Sequence, residues 1–269
     1  MAIWSDTLSV LLNAIMGQAA ISPGPAFGFL LVGLVLVGAA AALLARLGVS
    51  RAIVFASARA VVQLAVVSLL ITGVLRSWWE TAAFIAVMLG VAVATSARRV
   101  STLRSGWPVA APIAAGALPI TAAIVASRTM PLTTVAVVPI AGILIGGAMT
   151  ATSLAGRRAL DELRDRHGEY EAALALGFLP RDAALEVCRP TVGQALMPAL
   201  DQTRTVGLVT LPGAFVGVLL GGGSATQAGA TQVLVLVALL AVEAIAAAVT
   251  LELVAAGVLY RPSDPARVR

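Results

Sequence analysis

Apolar residues run along this chain in blocks of about twenty, separated by short stretches that hold most of its charge. A bilayer core of roughly 30 Å is crossed by about 20 helical residues at 1.5 Å each. Seven blocks reach that scale, at residues 27–45, 53–74, 80–96, 108–127, 132–154, 203–221 and 231–256. The pattern predicts an all-α, polytopic membrane protein of about seven transmembrane helices, organised as a single transmembrane domain over residues 1–269. Ahead of the first block, within residues 1–25, Ile3 to Met16 reads as an interfacial helix. Residues 1–22 lack a basic leader segment and their first charge is Asp6, which argues against a cleaved secretory signal.

One region, residues 155–200, breaks the pattern. There Leu160, Leu163, Tyr170, Ala173, Leu174 and Leu176 recur among Asp161, Glu162, Arg164, Asp165, Arg166, Glu169 and Glu171. The spacing predicts an amphipathic helix, with Gly168 as a candidate break. Gly177 suits a left-handed C-terminal cap. Pro180 suits the first turn of a second helix, Asp182 its positive end, and Pro190 stops or bends it. The prediction is helix, sharp turn, helix, projecting from the membrane. Acidic residues mixed this evenly with basic ones do not suit an anionic lipid surface, which favours Lys/Arg-rich faces. A solvated hairpin and a protein-docking element remain, and docking is the better reading.

Composition agrees. Of 269 residues 59% are hydrophobic and only 12% charged, with a mean hydropathy of +0.98, about half the charge of a soluble domain. All 18 basic residues are arginines. Without lysine there is no phosphate-binding P-loop, which needs Lys after its glycine-rich turn. The arginines are scattered between apolar blocks rather than gathered on one face, so they report topology and not nucleic acid. Seven spans divide them between two sets of loops. Arg46, Arg51, Arg98, Arg99, Arg104, Arg157, Arg158, Arg164, Arg166, Arg181, Arg189, Arg204, Arg261, Arg267 and Arg269 share one side, against Arg76 and Arg128 on the other. The positive-inside rule then places the N-terminus outside, and the 155–200 loop and the C-terminus in the cytoplasm of a cell-membrane protein.

A single cysteine, Cys188, and a single histidine, His167, exclude a disulfide framework, a zinc site and a Cys/His nucleophile pair. No convergent acid, base or nucleophile set is visible, so no catalytic site is assigned. Polar residues inside the apolar blocks matter more, because a charge at the bilayer centre costs about 2.5–3.5 kcal/mol on insertion scales. Arg59 and Gln63 are four apart on one helical face, and Glu243 lies deep in the last block. Arg59 either snorkels or lines a pathway; Glu243 either pairs with Arg59 or lines the pathway itself. Asp201 and Arg204 sit at i and i+3, as a local salt bridge or a gate, and Thr205 and Thr210 offer hydroxyls. Gly142/Gly146 and Gly213/Gly217/Gly221 are spaced for close helix packing. Pro108, Pro112, Pro119, Pro139, Pro198 and Pro212 punctuate or kink the spans.

Residues 171–190 read E-A-A-x(3)-G-x(9)-V-x-R-P, which resembles the coupling motif E-A-A-x(3)-G-x(9)-I-x-L-P of ABC-transporter permeases, with Val187 and Arg189 departing from it. "ARAVVQL" (58–64), "VVPIAGILIGGAMTA" (137–151), "LALGFLPRDA" (174–183) and "MPALDQTRTVGLVTLPGAFVGVLLGG" (197–222) resemble the FetB-type permeases over residues 45–257. That resemblance implies a homodimeric permease driven by a separate ATP-binding subunit, ATP and Mg belonging to that partner, and export of a metal ion such as iron. It implies docking through Glu171, Ala172, Ala173, Gly177 and Pro190. Candidates for the translocation path are Arg59, Gln63, Met149, Asp201, Arg204, Thr210 and Glu243. Ala214 and Phe215 stand where relatives are expected to carry methionines, and the metal ligands stay unknown. An import permease for another small solute, or an ATP-independent channel or secondary transporter, is the alternative.

Overall fold

The computed structural model describes residues 24–74, 77–130 and 133–262; the N-terminal segment read as an interfacial helix lies outside them. The regular elements of the described chain are all helices, apart from an isolated bridge between Val206 and Thr210. Six of its helices are long and apolar enough to cross a membrane. The chain is a polytopic membrane protein and divides into two compact units.

The first unit holds α1 (Pro25–Leu44) and α2 (Ser50–Val74), together with residues 217–224. Pro25 opens α1 at the position where its missing N–H leaves nothing unsatisfied. Gly38 faces Ile53 where the two helices pack. Their outward surfaces are apolar, with Phe29, Leu44 and Leu69 exposed, as expected of helices whose solvent is hydrocarbon.

The second unit contains α3 (Trp78–Val100), α4 (Ala110–Ala126), α5 (Thr134–Asp165), α6 (His167–Ala175), α7 (Pro180–Val192), α8 (Met197–Thr205) and α10 (Ala225–Ala255). The start of α9 (Gly213–Leu220) also belongs to it. A capping box starts α3: the Ser77 hydroxyl accepts from Glu80 N–H, and the Glu80 carboxylate accepts from Ser77 N–H. The core is a seam of small side chains. Leu144, Ala148, Ala151, Ala155 and Ala159 recur at three- and four-residue intervals along α5, all fully buried, and Val242, Ala246, Thr250 and Val254 do the same along α10. Without a hydrophobic drive between helices in lipid, such small residues let backbones approach and gain dispersion contact.

The seventh expected span, 203–221, is not one helix. It breaks into α8 and α9 around a turn in which the Thr205 carbonyl accepts from Val209 N–H at 2.9 Å and Gly207 N–H donates to the Thr210 carbonyl at 2.9 Å. Gly207 takes φ +83°, and Pro212 has no N–H to continue a helix. Hydropathy sees an apolar block; the turn residues cut it.

The glycine stripes also need correcting. Gly142 does sit against a neighbour, Met88, but Gly146, Gly213 and Gly217 have, among the described residues, open space where a side chain would go. The tight approaches are instead at Gly116 against Val242, Gly147 against Leu239, and Gly156 against Val100.

Candidate functional site

The projecting region forms as a helical hairpin at one end of the second unit. α5 continues past its apolar part to Asp165, and the break falls at Arg166, so Gly168 lies inside the first turn of α6. Arg166 clamps that break by donating to the carboxylates of Glu162, at 3.1 Å, and Glu169. Its guanidinium holds the Glu169 carboxyl below the ordinary carboxylate range, and the two acids raise the guanidinium in turn. Glu171 lies 3.3 Å from His167 Nε2, and His167 stacks on the buried Tyr170, whose phenol is raised by desolvation.

The turn is as expected. Gly177 takes φ +93°, Gly177 N–H donates to the Leu174 carbonyl at 2.9 Å, and Phe178 N–H donates to the Ala173 carbonyl at 3.1 Å. This is the paired Schellman closure, and it needs a residue without Cβ strain at the left-handed position. The Ala172 carbonyl accepts from Leu176 N–H. Pro180 then opens α7. Pro190 does not stop that helix: α7 runs to Val192 and passes through a short 3₁₀ stretch, Gly193–Leu196, into α8. The lost N–H of Pro190 falls at an exposed position near the helix end, where it costs little.

One face of α7, with Ala183, Ala184, Val187 and Cys188, is buried. Cys188 donates to the Ala159 carbonyl at 3.5 Å, and burial pushes its thiol up to about 12. At the turn itself the apolar residues are left outside: Leu176 is 80% exposed, Leu179 68% and Phe178 47%.

Polar contacts tie this hairpin to the bundle. Arg181 donates to the Glu252 carboxylate through Nε at 3.1 Å and Nη2 at 2.7 Å. Arg261 donates to Asp161 at 2.6 Å and to the Val100 carbonyl at 3.0 Å, while the Ser101 hydroxyl donates to the Tyr260 carbonyl. The C-terminal ends of α3, α5 and α10 therefore lie together with α7, bringing Arg98, Arg99, Arg157, Arg158, Arg181 and Arg261 to one end of this unit.

In the same unit, α5, α8 and α10 line a half-open cavity of about 230 Å³, with Thr150 and Gln202 exposed at its mouth and Glu243 on its buried side. Its polar wall groups are Glu243 from α10, Gln202 from α8 and Thr150 from α5, beside Gly146 and Gly147. Glu243 is only 8% exposed, and among the described residues of this unit no hydrogen-bond or ion-pair partner faces it. A Cβ on Gly147 would meet Leu239 and would lie 3.1 Å from Glu243 Oε1, so the bare backbone makes room for the carboxylate.

The other candidates are distributed differently. Asp201 and Arg204 pair with each other at 3.4 Å on the exposed side of α8. Met149 packs against the core rather than lining the cavity. Thr210 belongs to the α8–α9 turn. Arg59 and Gln63 lie on α2 of the first unit, both exposed. Sequence reasoning missed Thr150, Gln202 and Gly147. The available signal was a neutral amide, Gln202, directly beside the charged pair. Among the described residues no group of three or more His, Cys, Asp or Glu side chains converges as a metal site.

Comparison with known proteins gives the family. The rice UPF0014 membrane protein STAR2 (Oryza sativa subsp. japonica) is 35% identical over 196 residues, 71% of this chain and 68% of the relative. The Arabidopsis thaliana Protein ALUMINUM SENSITIVE 3 is 33% identical over 68% of each chain. The Escherichia coli Probable iron export permease protein FetB is 32% identical over 118 residues, 42% of this chain and 44% of the relative, a narrower match than the resemblance over residues 45–257 implied. No solved structure matches. The family profile described as "Uncharacterised protein family (UPF0014)" covers residues 28–259, nearly all of the described residues, and the chain belongs to that family of membrane proteins.

Proposed function

We propose that this chain is the membrane-spanning permease subunit of an ABC transporter, exporting a metal ion such as iron with energy supplied by a separate ATP-binding subunit. The observation that carries the reading is the hairpin tip. Three large apolar side chains, Leu176, Phe178 and Leu179, stand out around the Gly177 turn, on a base fixed by the buried face of α7 and by Arg181–Glu252. A polar hairpin in water has no reason to hold apolar residues outward; a hairpin that enters a groove on a partner does.

Glu171, Ala172, Ala173 and Gly177 form the arm that presents this tip, and Pro190 lies at the far end of α7. The arginine-rich end of the second unit is the cytoplasmic end by the positive-inside rule. The N-terminus is then outside and the C-terminus inside, with the broken α8–α9 segment as the seventh crossing. A non-helical turn at membrane depth is tolerated where protein or a cavity covers it. Two copies of the chain and two ATP-binding subunits complete the proposed assembly. The name of the Escherichia coli relative, a probable iron export permease, supports iron as the cargo and export as the direction.

The test is co-purification with the ATP-binding subunit after co-expression. Wild-type chain carries the subunit along and stimulates its ATP hydrolysis; Gly177→Asp, which strains the turn and adds charge, and Glu171→Arg lose both while remaining in the membrane. Transport by reconstituted chain alone, without any ATP-binding subunit, defeats the proposal.

A further inference from the structure

The geometry points to the cavity between α5, α8 and α10 as a binding site for a singly charged small cation, held by the Glu243 carboxylate with Gln202 and Thr150 as neutral oxygen donors. The inference rests on the permease reading and concerns a cation other than the metal cargo.

Three observations lead to it. Glu243 is more than nine-tenths buried in a helix long and apolar enough to span the membrane, without a partner among the described residues of its unit, and it lines a cavity. An isolated carboxylate in a low-dielectric setting is strongly disfavoured unless a cation or a proton neutralises it. Such residues face pathways rather than lipid.

The neighbouring donors set the ligand class. The Thr150 hydroxyl donates to the Gly146 carbonyl at 3.0 Å, which spends its proton and leaves its lone pairs as acceptors. Gln202, on α8, also lines the cavity and offers an amide oxygen. The remaining wall is backbone and apolar side chain, including Gly146, Gly147 and Leu239. The site therefore supplies one negative charge and two neutral oxygens. One positive charge closes the balance; a bare doubly or triply charged ion keeps an uncompensated charge inside the bundle, and hard divalent ions demand about six oxygen ligands. A cavity of about 230 Å³ has room for an alkali ion with part of its water, or for an ammonium group with a short organic tail.

The full chain, purified in detergent, is titrated in low-salt buffer at mildly alkaline pH with potassium chloride, methylammonium chloride or ferrous chloride, and its thermal unfolding midpoint is followed. Ligand bound only by the folded state raises the midpoint in a saturable way. Wild type is expected to respond to potassium or to methylammonium, and whichever arm responds identifies the source as an inorganic ion or an amine. Glu243→Gln is expected to weaken that response by about tenfold or more, as loss of a charged contact does. Glu243→Gln is also expected to be at least as stable as wild type without added cation, because it removes an uncompensated charge. Glu243→Asp keeps the charge and a weaker response. Equal responses in wild type and Glu243→Gln overturn the site, as does a response to ferrous ion alone or to pH alone. Retention of the ATP-binding subunit by Glu243→Gln shows that the permease reading stands whichever way the site is decided.

Discussion

The close approach of α4 and α10 predicts opposite outcomes for the same substitution at two glycines. An ideal Cβ on Gly116 would lie 2.7 Å from the Val242 carbonyl oxygen, 3.4 Å from Val242 Cγ1 and 3.5 Å from Ala246 Cβ. A carbon–oxygen contact relaxes at about 3.3 Å, so Gly116→Ala must drive the two helices apart by about 0.6 Å. Neither partner can yield by a rotamer change, since the obstruction is backbone. Overpacking of a close-packed interior costs about 1–3 kcal/mol, offset by up to about 1 kcal/mol from the better helix propensity of Ala. The net loss is then about 0.5–2 kcal/mol. Gly90 lies on the exposed side of α3 with no atom within 4 Å of its would-be Cβ, so Gly90→Ala keeps only the favourable part. Thermal unfolding of the purified chain in detergent, followed by the fluorescence of Trp78, Trp79 and Trp107, reads the difference. At roughly 2–4 °C per kcal/mol, Gly116→Ala drops the midpoint by roughly 1–8 °C and Gly90→Ala leaves it unchanged or higher. A Gly116→Ala protein as stable as wild type refutes the argument that this contact is set by backbone proximity.

Other perturbations bear on separate parts of the molecule. The Thr152 hydroxyl is fully buried without a hydrogen-bond partner among the described residues, so Thr152→Val, at nearly constant shape, raises the unfolding midpoint by the equivalent of about 1 kcal/mol. Cys188, with its thiol pushed up to about 12 and no exposed surface, resists maleimide labelling in the folded chain near neutral pH and reacts once denaturant opens α7. The Glu169 carboxyl is held below its ordinary 4.5 by Arg166, so its contribution is present above that value and is lost as pH falls through the lower folded-state value. Arg166→Gln should therefore flatten the acid side of the stability profile below the ordinary carboxylate value of 4.5; an unchanged profile refutes the clamp.

The membrane class and the hairpin were legible because each rests on local chemistry. Long apolar blocks report burial in lipid whatever packs around them, and Gly177 followed by Pro180 encodes a cap and a helix start within four residues. The broken segment at 203–221 was not legible from hydropathy, because a window average of apolar residues does not register that Gly207, Thr210 and Pro212 close a turn on the Thr205 carbonyl. Glycine spacing marked a shared face at Gly142 and Gly146 without telling which face meets another helix; Gly116 and Gly147, outside any regular stripe, do. Asp201 and Gln202 are adjacent, about 100° apart around α8, so only the orientation of that helix decides that the amide faces the cavity while the carboxylate pairs with Arg204.

The length of α5 has a mechanical consequence. Its 32 residues make a rod of about 48 Å, well beyond a bilayer core of about 30 Å, and one rod carries both Thr150 of the cavity wall and Asp165 at the root of the hairpin. It is seated against α10 at Gly147 and against Val100 and Thr250 at Gly156, where the small cross-section leaves least play. Such a rod behaves as a lever whose fulcrum lies between its working ends. On the proposed docking, a push at the hairpin would reach the cavity wall as a tilt of this one helix, with no relay of side-chain rearrangements needed in between.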